Sequence, residues 1–342
     1  MTETNPAKNR PAKAIVLLSG GLDSALAIRL MLNQGIAVLA VNFVGIFCTC
    51  GARQEGGGNL AIDVAQSMNV PIRVLPMGMD FMRIVEHPRH GRGRGVNPCI
   101  DCRIFMLRRA AQLMDEESAA FVVTGEVLGQ RPMSQHRQAL DLVERESGIA
   151  GRILRPLCAQ LLEPTQPERD GLVDRARLLA IRGRSRQEQL ALAKELKVEV
   201  FGPPAGGCLL TDPAIARRVK DLFAHCPDYD MNDAEAATFG RHYRLHEELK
   251  VILGRSEQEN DRLQRLAGAR PLAEIAGRPG PLALVRGVLR EGDRERIGRI
   301  LRAHGKHGDR ASEKVCWLIE DREEYFTAHG VASEDELARW KI

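Results

Sequence analysis

The chain has 342 residues, enough for two domains, with 44% hydrophobic residues, 27% charged residues and a net charge of +4. That composition excludes a disordered or fibrous protein, and the mild basic balance admits an RNA partner without demanding one. No apolar run approaches the roughly 18 residues of a membrane span, and an aromatic content of 4% leaves arginine, rather than stacking, to carry any nucleic-acid contact.

The first twelve residues, MTETNPAKNRPA, are polar and then basic, and read as a disordered lead rather than a signal peptide. Without an export signal, the eight cysteines read as thiols or metal ligands of a cytoplasmic protein, not as a disulfide framework. Ala14–Leu18 is an apolar run of strand length, followed by a glycine turn and a helical pattern that sets Leu22, Ala25, Leu26, Leu30 and Met31 on one face, with Gly35 as its stop. Strands are expected at Ile36–Val44, Pro71–Leu75 and Ala120–Thr124, and helices at Asn59–Met68, Cys99–Met114, about 172–182 and about 186–196. Strands that alternate with helices and read as continuous apolar runs predict an α/β fold with a doubly wound parallel sheet over residues 13–224. Past residue 225 the texture changes, and a second, smaller α+β domain is expected over 225–342. Its segment from Arg278 to Arg310 carries nine Arg or Lys against four acids.

SGGLDS, residues 19–24, lies between the first strand and the first helix. Gly20 and Gly21 let the backbone curl so that several N–H groups converge, and Leu22 starts the helix whose positive end faces the same point. Ser19 and Ser24 add hydroxyl donors, and Asp23 is placed to help hold the Mg2+ that accompanies a nucleoside triphosphate. A tight turn with a Ser/Asp helix cap is the bland alternative. Neither a GxxxxGK[ST] loop nor a GxGxxG fingerprint is present.

SGGLDS resembles the signature of the PP-loop ATP pyrophosphatases, whose fold is the adenine nucleotide alpha hydrolase type. The resemblance implies cleavage of ATP between its α and β phosphates and transfer of AMP to a substrate oxygen. VTGEVLGQRPMSQ at 123–135, followed by RILRPL at 152–157, is similar to the tRNA 4-thiouridine synthetases within that superfamily. The likeness covers roughly residues 13–200. It departs at the inserted Arg131–Met133 and in lacking the N-terminal RNA-binding region and the rhodanese domain of some members. The strand end near Val41–Phe43, with Asn42, and the Thr124–Gly125 turn are expected to flank the adenosine, and the resemblance implies tRNA as the substrate.

NPCIDC at 97–102 puts Asn97 at a helix N-cap and Pro98 at the first helical position, so Cys99 and Cys102 face the same way from a helix start that favours thiolate. Such a pair serves as half a zinc site, a redox dithiol or two ligands of an iron–sulfur cluster. Cys208 follows a glycine-rich turn, GPPAGG, and completes a trio that resembles the cluster-binding tRNA thiolation enzymes. There three cysteines hold a 4Fe–4S cluster with one iron open for hydrosulfide, which implies a metal role for Cys99, Cys102 and Cys208 and a catalytic role for Asp23, Cys99 and Cys208. Two alternatives stay open: Cys48 and Cys50 joining Cys99 and Cys102 around Zn2+, and a persulfide on Cys208 resolved by Cys99 or Cys102. Cys158, Cys226 and Cys316 have no partner spacing and read as buried small hydrophobes.

His87 and His90 lie in a Gly/Arg-rich loop and read as solvated, while Arg89, Arg92 and Arg94 suit RNA phosphates. KVILGRSEQEN, within 239–281, resembles the NFACT-R type of RNA-binding domain, which implies RNA contacts from Lys250, Arg255 and Asn260. The reading assembled from these motifs is an ATP-dependent enzyme that adenylates a tRNA uridine and exchanges its oxygen for sulfur from a hydrosulfide or desulfurase-derived donor. A PP-loop ligase acting on a small molecule, and a non-catalytic RNA-binding iron–sulfur protein, are the rivals. Neither the uridine nor the oligomeric state is readable.

Overall fold

A computed structural model describes residues 11–49, 58–203, 208–305, 311–320 and 322–342. Two compact units divide the chain: residues 1–93 with 97–208, and residues 94–96 with 209–342. The expectations for residues 1–10, for Cys50, for the Pro204–Gly207 turn and for Lys306 and Arg310 lie outside the described residues.

The first unit is built on five parallel strands, β1 (Lys13–Leu17), β2 (Ala37–Val44), β3 (Ile72–Pro76), β4 (Phe121–Thr124) and β5 (Ile153–Leu154), in the order β3-β2-β1-β4-β5. Helices α1 (Leu22–Asn33), α2 (Leu60–Ser67), α3 (Met79–Glu86), α4 (Cys99–Glu116) and α5 (Arg137–Ser147) connect them, and α6 (Gln166–Arg169) and α7 (Gln187–Glu195) follow β5. The sheet is covered on both faces, which is why its central strands are apolar without alternation. Ala14 and Val16 pack with α1, α2 and α7. Ile15 and Leu17 pack with α4 and α5. The order reverses at β1, the arrangement in which open α/β sheets place ligands beyond the strand ends.

One expected helix does not form. Residues 172–182 contain only a three-residue 3-10 turn at Arg175–Arg177. The backbone there bonds instead to the strand-end segment, Leu179 N–H to the Pro156 carbonyl at 2.9 Å and Ile181 N–H to that of Leu157 at 2.9 Å. Tertiary pairing overrides the local pattern.

The second unit begins with α8 (Pro213–His225), a helix that a boundary near residue 225 places in the first domain. It continues with α9 (Met231–Ala236), β6 (Arg241–His246), β7 (Leu249–Leu253), α10 (Glu257–Ala267), β8 (Leu272–Ile275), β9 (Ala283–Gly287), α11 (Asp293–His304), β10 (Ser312–Ile319), β11 (Arg322–His329) and α12 (Glu334–Trp340). Its six strands pair antiparallel in the order β11-β10-β8-β9-β7-β6. Val251 faces α11 and Ile252 faces α10, so this sheet too carries a helix on each side. No helix among the described residues is long and apolar enough to cross a membrane.

Candidate active site of the first unit

The Ser19–Ser24 loop connects β1 to α1 at the strand-order reversal. Gly20 holds φ +80, and a Cβ there would lie 3.0 Å from the Ala61 nitrogen, so a side chain is excluded both by conformation and by space. Gly21 caps α1 with no side-chain hydrogen bond, leaving the first N–H groups of that helix open to an anion. Ser24 donates to the Gly21 carbonyl at 2.8 Å, and its oxygen lies 3.2 Å from the Ser19 hydroxyl, which fixes the curl. The far side of the loop is braced by Gly202, whose N–H donates to the Gly20 carbonyl at 2.9 Å.

Asn42 is buried and donates to the Leu18 carbonyl at 2.8 Å, while its own oxygen accepts from Asn59 at 2.8 Å. Its amide fixes the start of the loop and the cap of α2 to each other. Gly125 touches the loop with its backbone: a Cβ there would fall 2.6 Å from both the Asp23 carbonyl carbon and the Ser24 nitrogen. Thr124 is buried and donates to Glu126 Oε2 at 3.1 Å.

Asp23 Oδ2 accepts from Gln130 Nε2 at 2.9 Å and stands 3.7 Å from an Arg186 guanidinium nitrogen. Asp23 Oδ1 and Arg186 Nε are both buried without a hydrogen-bond partner among the described residues. A carboxylate oxygen and a guanidinium nitrogen left unsatisfied beside a phosphate-type loop suit a cation and an anion that arrive together. Sequence reasoning found neither Gln130 nor Arg186, because each lies more than 100 residues from Asp23 along the chain. The only available signal for Gln130 was its place within the TGEVLGQ stretch.

Glu126, Arg103 and Arg155 were also missed. Glu126 Oε2 accepts from Arg155 Nε at 3.1 Å, its Oε1 lies 3.5 Å from Arg103 Nε, and Arg155 continues to Glu144 at 2.8 Å. Burial opposes the Glu126 charge, but the Arg103 and Arg155 guanidiniums and the Thr124 hydroxyl hold its carboxyl below the usual range.

Cys99 opens α4 and Cys102 sits one turn later. The helix is capped by Pro98, with no side-chain bond from Asn97, so the expected Asn97 cap does not form. Cys48, Cys99 and Cys208 each act electrostatically on the Cys102 thiol. The expectation that the helix start makes Cys102 a ready thiolate is corrected. Burial pushes this thiol well above its usual value, Arg103 opposes the shift, and the three other cysteines add to it. Desolvation is the largest cause of the shift.

A donor set made only of thiols has the chemistry of an iron–sulfur or zinc site. Among the described residues, however, no group of three His, Cys, Asp or Glu is arranged closely enough to hold a metal ion. Cys158 is buried and donates to the Glu126 carbonyl at 3.3 Å, and Cys226 and Cys316 are buried thiols. His90 lies 3.3 Å from Glu146, and Arg92 caps the end of α3 by donating to the Val85 and Glu86 carbonyls at 3.2 and 2.6 Å.

In the second unit, Lys250 is buried and its ammonium lies 2.8 Å from Asp221, which also holds Arg244 at 2.7 Å. An ammonium enclosed in this way does not reach a phosphate, so the RNA contact expected of Lys250 is corrected. The Asn260 amide donates to the Gly280 carbonyl at 3.0 Å and accepts from Leu282 N–H at 3.1 Å, a structural staple. Arg255 is exposed and paired with Glu259 at 2.6 Å, and Arg94 is exposed. Within the basic stretch, Arg278, Arg286, Arg290, Arg294, Arg296, Arg299 and Arg302 each face a carboxylate. The local charge excess is therefore largely neutralised. A less compensated group lies on α8, where Arg217 and Lys220 are exposed. Burial there holds the Arg218 guanidinium below its usual value, and neighbouring Arg255 and Arg217 push the same way against Asp212 and Glu259.

Residues 10–161 match the family model described as thiamine biosynthesis protein (ThiI), and residues 240–341 match the NFACT protein RNA binding domain. A probable tRNA sulfurtransferase of Methanothermobacter thermautotrophicus is 31% identical over 119 residues, 34% of this chain and 30% of that protein. A tRNA-specific 2-thiouridylase of Leptospira biflexa is 32% identical over 107 residues, 28% of each chain. Among solved structures, a 4-thiouridine synthetase–RNA complex with bound ATP aligns with a TM-score of 0.39 at 20% identity, over 67% of this chain and 53% of that one. The chain spans about 30% of the length of the curated relatives it matches.

Proposed function

We propose that this chain, a ThiI-type domain joined to an NFACT-R-type RNA-binding domain, replaces a uridine oxygen of tRNA with sulfur at the expense of ATP. One observation carries the reading: a continuous chain of contacts leads from the phosphate-type loop to the thiols. Gly125 lies against Asp23 and Ser24, Glu126 follows Gly125 and faces Arg103, and Arg103 follows Cys102.

In this reading the open N–H groups of α1 and the Ser19 and Ser24 hydroxyls bind the ATP phosphates, Arg186 stands 3.7 Å from Asp23 as a cation for phosphate oxygens, and Asp23 would hold the Mg2+ that would neutralise phosphate charge. The uridine carbonyl oxygen bonds to the α-phosphorus, the bond from that phosphorus to the bridging oxygen breaks, and pyrophosphate leaves. Hydrosulfide then forms the carbon–sulfur bond, expels AMP and loses its proton; with a donor persulfide the terminal sulfur forms that bond and expels AMP, and a second thiolate attacks the donor sulfur, so that the S–S bond to the product breaks and a protein disulfide is left. The loop contributes positioning and charge neutralisation. Cys99, Cys102 and Cys208 would hold a 4Fe–4S cluster, which would supply an open iron for the sulfur. ATP and tRNA as substrates make the cytoplasm the compartment of the reaction.

Pyrophosphate release tests the reading. Release that depends on unmodified tRNA and is lost in Asp23→Asn supports it. Release stimulated by a small metabolite and indifferent to tRNA transfers the assignment to a PP-loop ligase.

A further inference from the structure

The charge network beneath the loop is larger than the fold alone requires. Glu126 is 2% exposed and Arg155 3% exposed, yet both Glu126 Oε1 and Arg155 Nη2 lack a hydrogen-bond partner among the described residues. A buried pair of this kind contributes little net stability compared with apolar packing. Its geometry is specific, though. Residues 124–126 touch two elements at once: the Gly125 backbone meets the nucleotide loop at Asp23 and Ser24, and the Glu126 carboxylate meets Arg103 Nε at 3.5 Å. Arg103 belongs to the first turns of α4, one residue after Cys102 and four after Cys99, so it projects from the thiol-bearing face. Arg155 Nε at 3.1 Å and the Thr124 hydroxyl at 3.1 Å keep Glu126 from rotating away.

We propose that Glu126 and Arg103 are positioning residues, a clasp that fixes the thiol-bearing turn of α4 in register with the nucleotide loop. This deepens the thiolation reading and rests on it: the clasp sets where sulfur is presented relative to the adenylated base. Neither residue belongs to the Ser19–Ser24 loop. Loosening the clasp therefore leaves AMP formation in place and impairs the later sulfur step, since a misplacement of about 1 Å at a reacting group lowers a rate by roughly a hundredfold.

Full-length parent, Arg103→Gln, Glu126→Gln and the double variant are compared in three measurements: tRNA-dependent pyrophosphate release, thionucleoside formed, and amide hydrogen exchange along α4. Arg103→Gln is expected to keep pyrophosphate release within about threefold of the parent and to lose thionucleoside formation by about a hundredfold. Exchange at Cys102 and Arg103 should rise about tenfold while the last turns of α4 stay unchanged, and the double variant should be no worse than the worse single one. Equal losses in both activities, losses that multiply in the double variant, or unchanged exchange at the first turn overturn the proposal. Glu126→Gln leaves Arg155 poorly compensated and is prone to unfold. Arg103→Gln, whose side chain is partly exposed, then decides alone by the split between the two activities. A parent that releases no pyrophosphate with tRNA refutes the thiolation reading, and the exchange measurement still decides whether the clasp exists.

Discussion

Gly125→Ala is the most direct steric probe of the nucleotide loop. Gly125 has an ordinary backbone outside the left-handed region, so alanine meets no conformational penalty and its effect is purely one of space. The new methyl would sit 2.6 Å from the Asp23 carbonyl carbon and the Ser24 nitrogen and 2.7 Å from the Asp23 oxygen. Ordinary contact begins near about 3.5 Å, so the loop or the β4 end must withdraw by about 0.9 Å. These neighbours are backbone atoms at the start of a helix and cannot rotate aside as a flexible side chain would. Overpacking of this kind costs about 1–3 kcal/mol of stability. The same displacement at a phosphate-binding loop lowers AMP formation by roughly a hundredfold, about 2.7 kcal/mol of transition-state stabilisation. The assay is AMP formation at saturating tRNA across an ATP series, with thermal melts run beside it. Gly78→Ala is the control: the new methyl would find Asp80 Oδ1 at 3.6 Å as its nearest neighbour. A Gly125→Ala protein with the parent's rate and ATP dependence would show that this backbone contact does not shape the site.

Asp221→Asn leaves Lys250 buried beside a neutral amide and should destabilise the second unit by about 3–5 kcal/mol in a denaturant melt. Burial works against the Asp221 charge, but Arg244 and Lys250 hold its carboxyl below the usual range. Its contribution is therefore present above the unfolded-state pKa and is lost as pH falls through the folded one, so parent and variant stabilities should converge in acid. Replacing Arg217 and Arg218 together by Glu should weaken tRNA binding and reduce the steepness of its salt dependence by about two phosphate contacts, whereas Arg290→Glu, in a position already paired with Glu248, should change it little. Because burial and crowding raise the Cys102 thiol, iodoacetamide should label it more slowly at pH 8 than an unhindered thiol, and faster as pH climbs well beyond that. Labelling at the ordinary rate would refute the crowded, protonated state.

The parts that were legible in the sequence are those with a local signal. Val16 and Val41 lie in continuous apolar runs because each strand is buried on both faces, and Ser19–Ser24 announces itself by glycines between a strand and a helix. The grouping of Cys99, Cys102 and Cys208 rests on resemblance alone, and Cys48 entered only as one half of a short-range pair with Cys50. Gln130 left only its place within the TGEVLGQ stretch, and Arg186 and the Glu126–Arg103 contact were illegible, since partners brought together by a sheet crossover leave no mark at short range. Lys250 misled because a lysine in a motif reads as surface charge, whereas Asp221, 29 residues earlier, draws it inside. The arginines of the basic stretch misled for the same reason: their carboxylate partners, such as Glu313 and Glu336, come from distant strands and helices, and a running count of charge does not see them. Helix α8 falls on the other side of the expected boundary because Pro213 and Asp212 mark where a helix starts, not which core it joins.

The central claim is that the phosphate loop and the thiols serve one reaction on tRNA. Mass spectrometry of tRNA nucleosides from a strain lacking this gene, compared with the same strain carrying the parent gene or Asp23→Asn, tests it most directly. The account predicts one thiolated uridine that is absent in the deletion, restored by the parent and not restored by Asp23→Asn. An unchanged set of thionucleosides in all three strains would contradict it.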